Sequence, residues 1–392
     1  MATKFSCQIC GHDELVPVDG FAALSRVTSD CKPWSAGGEL TTCAACGALQ
    51  KLPSDKWLRE IGEIYGAYQI YQLADGAEQP IFAADGSAAP RSHTLVDYVV
   101  RSAGLGDSGR LIDIGCGNGA ALANFAAALP GWRLSGSELS DKALPRLRRL
   151  PSFDTLYTTS LRDIPYRFDV VTMIHSLEHM PSAHEALEEA RSLVAADGRL
   201  FVEVPNAATS PFDLLVADHL SHFTPRHLHY LAGRSGLVPT DLRDDVLPKE
   251  ISMLARPGAG EGERPNPDYG RSLALTTVAW LHRVMAAAAV VADRAKTAGR
   301  PFGIFGTSIS GMWLFGGLRD GVSFFVDEDR MRVGASFEGR PVLAPADIAS
   351  DAVVFIPLVP EVARRVAARH ASGPGQYELP PVMASGAGGI AL

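Results

Sequence analysis

The sequence predicts an α/β protein in three parts. Three stretches carry that expectation: paired cysteine knuckles at the N-terminus, a glycine loop at 115–119 and a second glycine turn near 306. The parts are a small zinc-binding domain (1–55), an α/β domain built on a parallel sheet (91–255) and a second Rossmann-like α/β domain (270–392). A tyrosine-bearing connector occupies 56–90. At 392 residues the chain is too long for a single core. With 46% hydrophobic and 20% charged residues it reads as ordinary globular material. The net charge of −8 argues against a nucleic-acid partner, which needs a basic face. No run of about 20 apolar residues suggests a membrane span. The start MATKFSCQIC has no apolar signal region, so a cytoplasmic protein is expected. In that compartment its six cysteines stay reduced or bind metal.

In the first part, Cys7-x-x-Cys10 and Cys43-x-x-Cys46 each present two thiolates. Two such pairs make a closed, structural zinc site with no open position for catalysis. Gly11 and Gly47, directly after each knuckle, suit the tight turn. Cys31 lies between the knuckles and reads as a bystander.

In the central part, the strand-like runs RLIDIG, WRLSGSEL, FDVVTMI and GRLFVEV alternate with helical patterns. In LIDIGCGNG a strand ends in Asp113, and Gly115, Gly117 and Gly119 turn the chain into the helix ALANFAAAL. Such a loop gives backbone room beside an adenosine-type ligand, and the strand-end acid suits an amine. The next strand ends in Glu138, where a carboxylate can accept both ribose hydroxyls. An NAD-type turn would want G-x-G-x-x-G, and position 120 is Ala120.

These residues resemble the class I S-adenosylmethionine (SAM)-dependent methyltransferases, which read (L/V)LD(I/V)GCGxG followed by an acid at the end of the second strand. The resemblance implies a class I (Rossmann-like) methyltransferase domain. It implies that Gly115, Cys116, Gly117, Asn118 and Gly119 line SAM, that Asp113 sits near its methionine end, and that Glu138 holds the ribose. Leu139, Ser160, Leu161 and His175 complete the expected cofactor set.

IHSLEHM spells His175-x-x-Glu178-His179, a zinc-protease signature. It directly follows a strand, whereas that signature needs one helix face, so metal binding is not expected there. In the resembled enzymes this is the loop over the reacting methyl, and His179 is the better active-site candidate.

The run DHLSHFTPRHL, 218–228, completes a narrower resemblance to the sugar C-methyltransferases of deoxysugar biosynthesis. Those enzymes join a zinc-binding domain, a class I core and a C-terminal α/β domain. Their segment similar to Tyr-His-Glu-His-Leu-Ser-Tyr-Phe-Ser carries the general base, which falls on His219 here, with Asp218 as its acidic partner. A near-neutral imidazole can take a proton alpha to a keto group. The family tyrosine is Val216 and the glutamate is shortened to Asp218. Tyr65, Tyr68 or Tyr71 of the connector is expected to supply a phenol. His222, His227 and His229 read as packing or surface residues, and a metal in the run is not expected for want of a second ligand cluster nearby in sequence.

The segment ARPGAGEGERPNPDYG (255–270) reads as a linker, followed by a long helix at about 271–298 ending on Gly299. FGIFGTSISG then turns at Gly303, Gly306, Thr307 and Ser308, and FFVDED ends a second strand at Asp327. By the resemblance this unit helps bind a nucleotide sugar, with amides near Thr307 and Ser308 receiving phosphate. The tail SGAGGIAL reads as frayed.

The leading expectation is SAM-dependent C-methylation of a nucleotide-activated keto sugar, with a small-molecule partner and neither nucleic acid nor membrane. An O- or N-methyltransferase for a sugar or natural product is the near alternative. A ribosomal-RNA methyltransferase and a non-catalytic SAM-binding protein are the remote ones.

Overall fold

The apolar runs of the central part form adjacent strands of a seven-stranded sheet. Its spatial order is Phe153–Tyr157, Arg133–Ser137, Arg110–Ile114, Phe168–Ile174, Val194–Pro205, Glu250–Pro257, Leu237–Arg243. The first five strands are parallel and the last two antiparallel. Leu111, Ile112, Val170, Val171, Leu200 and Val202 are fully buried, because helices cover both faces of a parallel sheet. The strand order reverses between Arg110–Ile114 and Phe168–Ile174. At such a switch point the crevice beyond the carboxyl ends of the strands receives the ligand. The computed structural model describes residues 5–67, 80–82, 88–260 and 262–383, with backbone alone for 80–82 and 88–89. Tyr68, Tyr71 and the tail SGAGGIAL lie outside the described residues.

Three strands of this sheet were not apparent in the sequence. Phe153–Tyr157 lacks an apolar run, and the antiparallel pair Leu237–Arg243 and Glu250–Pro257 carries Pro239 and polar residues at its edge. The linker expected at 255–270 is shorter. Ala255 to Pro257 finish a strand, and the long helix starts at Pro267. Asn266 accepts from the Asp268 amide at 2.9 Å, and proline is pre-set for the first turn.

The helix Pro267–Thr297 is long and apolar enough to cross a membrane by length and composition alone. Its apolar residues, however, recur at helical spacing on one buried face: Ala274, Val278, Leu281, Val284, Ala288, Val291 and Ala295. That face joins one core cluster with Phe302, Trp313 and Phe325 of the C-terminal part. There a six-stranded sheet runs Ser336–Phe337, Arg340–Leu343, Phe324–Val326, Phe302–Phe305, Val353–Phe355, Gln376–Glu378, parallel apart from its first strand.

The N-terminal part pairs Leu15–Pro17, Leu40–Cys43 and Leu49–Lys51 antiparallel. A fourth strand, Ser221–His222, comes from the histidine run and pairs with Leu49–Lys51. The expected boundary at residue 55 therefore does not enclose the whole module. Its open strand edge is satisfied by a segment from far along the chain.

Candidate active site

The glycine loop lies at the switch point. Gly115, Gly117 and Gly119 have φ of 74°, 54° and 80°, the left-handed region that glycine enters freely. A Cβ on Gly115 would stand 2.6 Å from the Ser176 Cβ, so the loop also needs glycine to close on the next turn. Gly119 caps the helix Ala120–Ala128, and Asn118 accepts from the Ala120 amide at 3.2 Å. Cys116 is buried behind the loop. Asp113 is buried and receives the Thr172 hydroxyl at 2.6 Å, and burial pushes its carboxyl up to about 7. Glu138 accepts from the Gly117 amide at 2.7 Å and the Leu139 amide at 3.0 Å. Each carboxylate oxygen keeps a further lone pair for a ligand hydroxyl. Leu139 is 84% exposed beside it, and Ser160 and Leu161 follow the neighbouring strand. An exposed apolar side chain, a carboxylate and a glycine-lined amide edge fit an adenosine with a charged tail.

A candidate reaction centre assembles beyond the next two strands. One ligand-type atom each from Glu178, His179 and His219 lies within 4.8 Å of the others. The His179 and His219 rings meet edge to face at 4.6 Å between centroids. Folding thus brings Glu178 and His179, which lie apart from the histidine run in sequence, beside His219. His219 Nδ1 lies 2.7 Å from Asp213 Oδ1, and His222 Nδ1 lies 2.6 Å from Asp213 Oδ2. A carboxylate fixes the Nδ1–H tautomer and leaves Nε2 as the basic nitrogen. Burial pushes His219 down, but the Asp213 charge outweighs it and holds the imidazole above its ordinary pKa. Burial likewise opposes ionisation of Asp213, and the two imidazoles override it and hold the carboxyl low. Burial takes His222 down to about 4 and lowers His179 as well.

One expected role is corrected here. Asp218 does not orient His219. Its carboxylate accepts from the Ser29 amide at 2.8 Å and the Ser29 hydroxyl at 2.5 Å. Adjacent side chains in this turn leave the backbone in different directions, so the acid next in sequence is not the acid next in space. Asp218 instead touches His179: its backbone carbonyl is 3.0 Å and its carboxylate 3.5 Å from Nδ1. Tyr65 places its hydroxyl 3.1 Å from the same nitrogen. A connector phenol thus reaches the centre, while Val216 is buried.

Asp213 and Lys51 were missed in the sequence. Asp213 sits in a 3-10 turn, Pro211–Leu215, with no motif around it. Lys51 is buried, with its ammonium donating to the Val216 carbonyl and, at 2.8 Å, to the His219 carbonyl. Burial pulls its amine down to about 7.

His175 walls the other side of the turn at a left-handed φ of 51°. Its imidazole lies between Glu178 (3.1 Å) and Glu250 (2.9 Å), and Glu250 also pairs with Arg91. Burial and Arg91 oppose its charge, but the two carboxylates raise it to about 9. Glu203, buried nearby against Ser252, is pushed up to about 8 by burial and by Glu250.

The four N-terminal cysteines converge. Cys7 and Cys46 sulfurs are 3.6 Å apart, and Cys10 and Cys43 sulfurs 3.5 Å. A tetrahedral ion with Zn–S of about 2.3 Å requires edges of about 3.8 Å, so the cluster fits. Amides of Ile9, Cys10 and Ala45 donate to the sulfurs at 3.4 Å each, as thiolates need. Cys31 is outside this group. His227 is part of its support, with Nε2 donating to the Cys46 carbonyl at 2.9 Å.

At the C-terminal turn, Gly306 has φ 86° and Ser308 opens the helix Ile309–Leu318. Thr307 is not free for phosphate. Its amide and hydroxyl donate to Asp327 at 3.2 and 2.8 Å, and Arg332 donates to the same hydroxyl at 2.7 Å. The carboxylate already occupies the amide that an anion would use.

Residues 88–242 match the family described as methyltransferase domain. The chain is 26% identical over 280 residues to the C-methyltransferase NovU of Streptomyces niveus, a match covering 66% of this chain and 62% of that protein. It is 31% identical over 145 residues to a ubiquinone biosynthesis O-methyltransferase of Aromatoleum aromaticum, covering 34% of this chain and 60% of that one. Among solved structures, the mitomycin 7-O-methyltransferase MmcR is similar at TM-score 0.38 and 24% identity, covering 45% of this chain and 56% of its own. CalO1, a methyltransferase in calicheamicin biosynthesis, is similar at TM-score 0.36 and 18% identity, covering 43% and 54%. The matched region thus spans less than two thirds of NovU's length.

Proposed function

We propose that this chain, whose residues 88–242 match a methyltransferase domain, is a SAM-dependent methyltransferase that methylates a carbon of a nucleotide-activated keto sugar. The observation that carries this reading is the Asp213–His219 pair, a buried imidazole with Nδ1 held at 2.7 Å and Nε2 left as a base. Methylation of carbon needs a carbanion equivalent, whereas a phenol or amine acceptor needs far less. The likeness to a C-methyltransferase over more than half the chain supports the same reaction type.

His219 Nε2 takes the proton alpha to the substrate carbonyl, and the C–H electron pair passes into the enolate. Asp213 stabilises the imidazolium that forms. Tyr65, hydrogen-bonded to His179, offers a phenol where the family segment has lost one at Val216. The Tyr65 hydroxyl is the group we assign to the enolate oxygen, with His179, whose Nδ1–H faces the Asp218 carbonyl, positioning that phenol. Bound SAM supplies an electrophilic methyl, which the enolate carbon takes as the sulfonium becomes a thioether. The glycine loop, Asp113 and Glu138 hold that cofactor. The four cysteines hold a structural zinc ion. The C-terminal turn at Gly306 and Ser308 takes the nucleotide end, with the Thr307 amide committed elsewhere.

His219→Ala should bind SAM with unchanged affinity and lose turnover. Turnover within about threefold of wild type would remove His219 from the mechanism. A product bearing the methyl on oxygen or nitrogen would favour the O- or N-methyltransferase reading instead.

A further inference from the structure

The N-terminal module grips both histidine-bearing turns. Each residue from Val216 to Leu220 is bonded to it. The Lys51 ammonium serves the Val216 and His219 carbonyls, and its backbone amide donates to the Leu220 carbonyl at 2.8 Å. The Ala217 amide donates to the Val27 carbonyl at 2.7 Å, and Trp57 Nε1 donates to the Ala217 carbonyl at 3.1 Å. Ser29 holds the Asp218 carboxylate. Ser221–His222 then continues as a strand of the module's own sheet.

The knuckles reach the second turn as well. Gln8, inside the first knuckle, accepts from the Ala183 amide at 3.0 Å, just past Glu178-His179-Met180-Pro181. Its own amide donates to the Gln50 side chain at 2.8 Å, next to Lys51. Cys46, in the second knuckle, receives His227. An ammonium buried at 1% exposure is unfavourable unless its donors are filled. Here two of its three N–H donors go to carbonyls of the base-bearing segment.

We propose that the four-cysteine module and Lys51 form the positioning element for the base, fixing 216–222 so that His219 faces His179, with SAM binding independent of it. Lys51 is a positioning residue that acts through the His219 backbone. The inference rests on His219 being the base. It predicts that loosening the module lowers turnover and leaves the cofactor half untouched.

The test is Lys51→Met in the zinc-loaded full chain, which keeps the aliphatic stem and removes the donors. The kcat should fall about 100-fold, as small misplacements of a catalytic group do. SAM affinity by calorimetry should stay within about twofold and zinc at one ion per chain. The downfield N–H proton of the His219–Asp213 pair should shift or vanish in the NMR spectrum. A folded, zinc-loaded variant with kcat within about threefold of wild type and an unchanged resonance overturns the proposal. If Lys51→Met does not fold, Trp57→Phe decides, since it removes one donor and keeps an aromatic ring. A loss of about fivefold in kcat with unchanged KM for SAM supports the proposal, and an unchanged kcat overturns it. Should the wild type transfer no methyl to any keto sugar, the substrate reading falls. The His219 resonance in the variant still judges the positioning claim.

Discussion

At the scale of single residues, Asp213 is the group on which most depends. It serves two imidazoles with its two oxygens, and its own charge is secured by them. Asp213→Asn should reduce kcat by about 100-fold or more, since losing the carboxylate that fixes a catalytic tautomer has effects of that order or larger. The pH profile gives a second readout. His219 acts as a base only when neutral, so kcat rises with pH through its pKa. Asp213 holds that pKa above the ordinary value, which puts the rising limb at higher pH than a free imidazole would. In Asp213→Asn the limb should move toward lower pH while the plateau drops. A limb that stays in place would assign the titration to another group. Sequence reading singled out His219 but not Asp213, which pairs with it. Asp213 comes forward through a short 3-10 turn, and no local pattern marks it. The neighbouring Asp218 was the natural choice in one dimension and is taken by Ser29 in three.

At the scale of elements, what was legible is what local backbone chemistry dictates. The glycine loop needs three left-handed residues between a strand and a helix, and the sequence spells them. Gly115→Ala would meet both a positive φ and the Ser176 side chain. It should weaken SAM binding by at least about tenfold and lower the melting temperature, measured by calorimetry and thermal scanning. Unaltered affinity would place the cofactor elsewhere. A second close approach ties the long helix to the cysteine cluster. A Cβ on Gly270 would collide with the Gly47 carbonyl, directly after Cys46. Gly270→Ala should therefore loosen the second knuckle, seen as faster zinc loss to a chelator at unchanged SAM affinity. Zinc release at the wild-type rate would mean that helix and knuckle move apart freely. The strands that were missed, such as Phe153–Tyr157, owe their form to sheet neighbours rather than to their own pattern.

At the scale of the whole molecule, three parts predicted from motifs converge less independently than their motifs suggest. The cysteine module completes its sheet with the histidine run, and the connector delivers Tyr65 to His179. The contacts of Lys51 and Ser29 with the histidine run span more than 160 residues of chain, beyond any sequence window. The glycine loop and Glu138, to which we assign SAM, are by contrast built within the central sheet and its turns. The proposed mechanism requires this assembly to remove a proton from carbon. The most direct measurement is solvent deuterium wash-in, followed by mass spectrometry, on nucleotide-linked 4-keto sugars incubated with the protein in D2O without SAM. Wild type should incorporate one deuterium at the carbon alpha to the carbonyl and His219→Ala none, and methylation should occur at that same carbon once SAM is added. Methyl transfer to a hydroxyl or amine acceptor with no carbon exchange would contradict it.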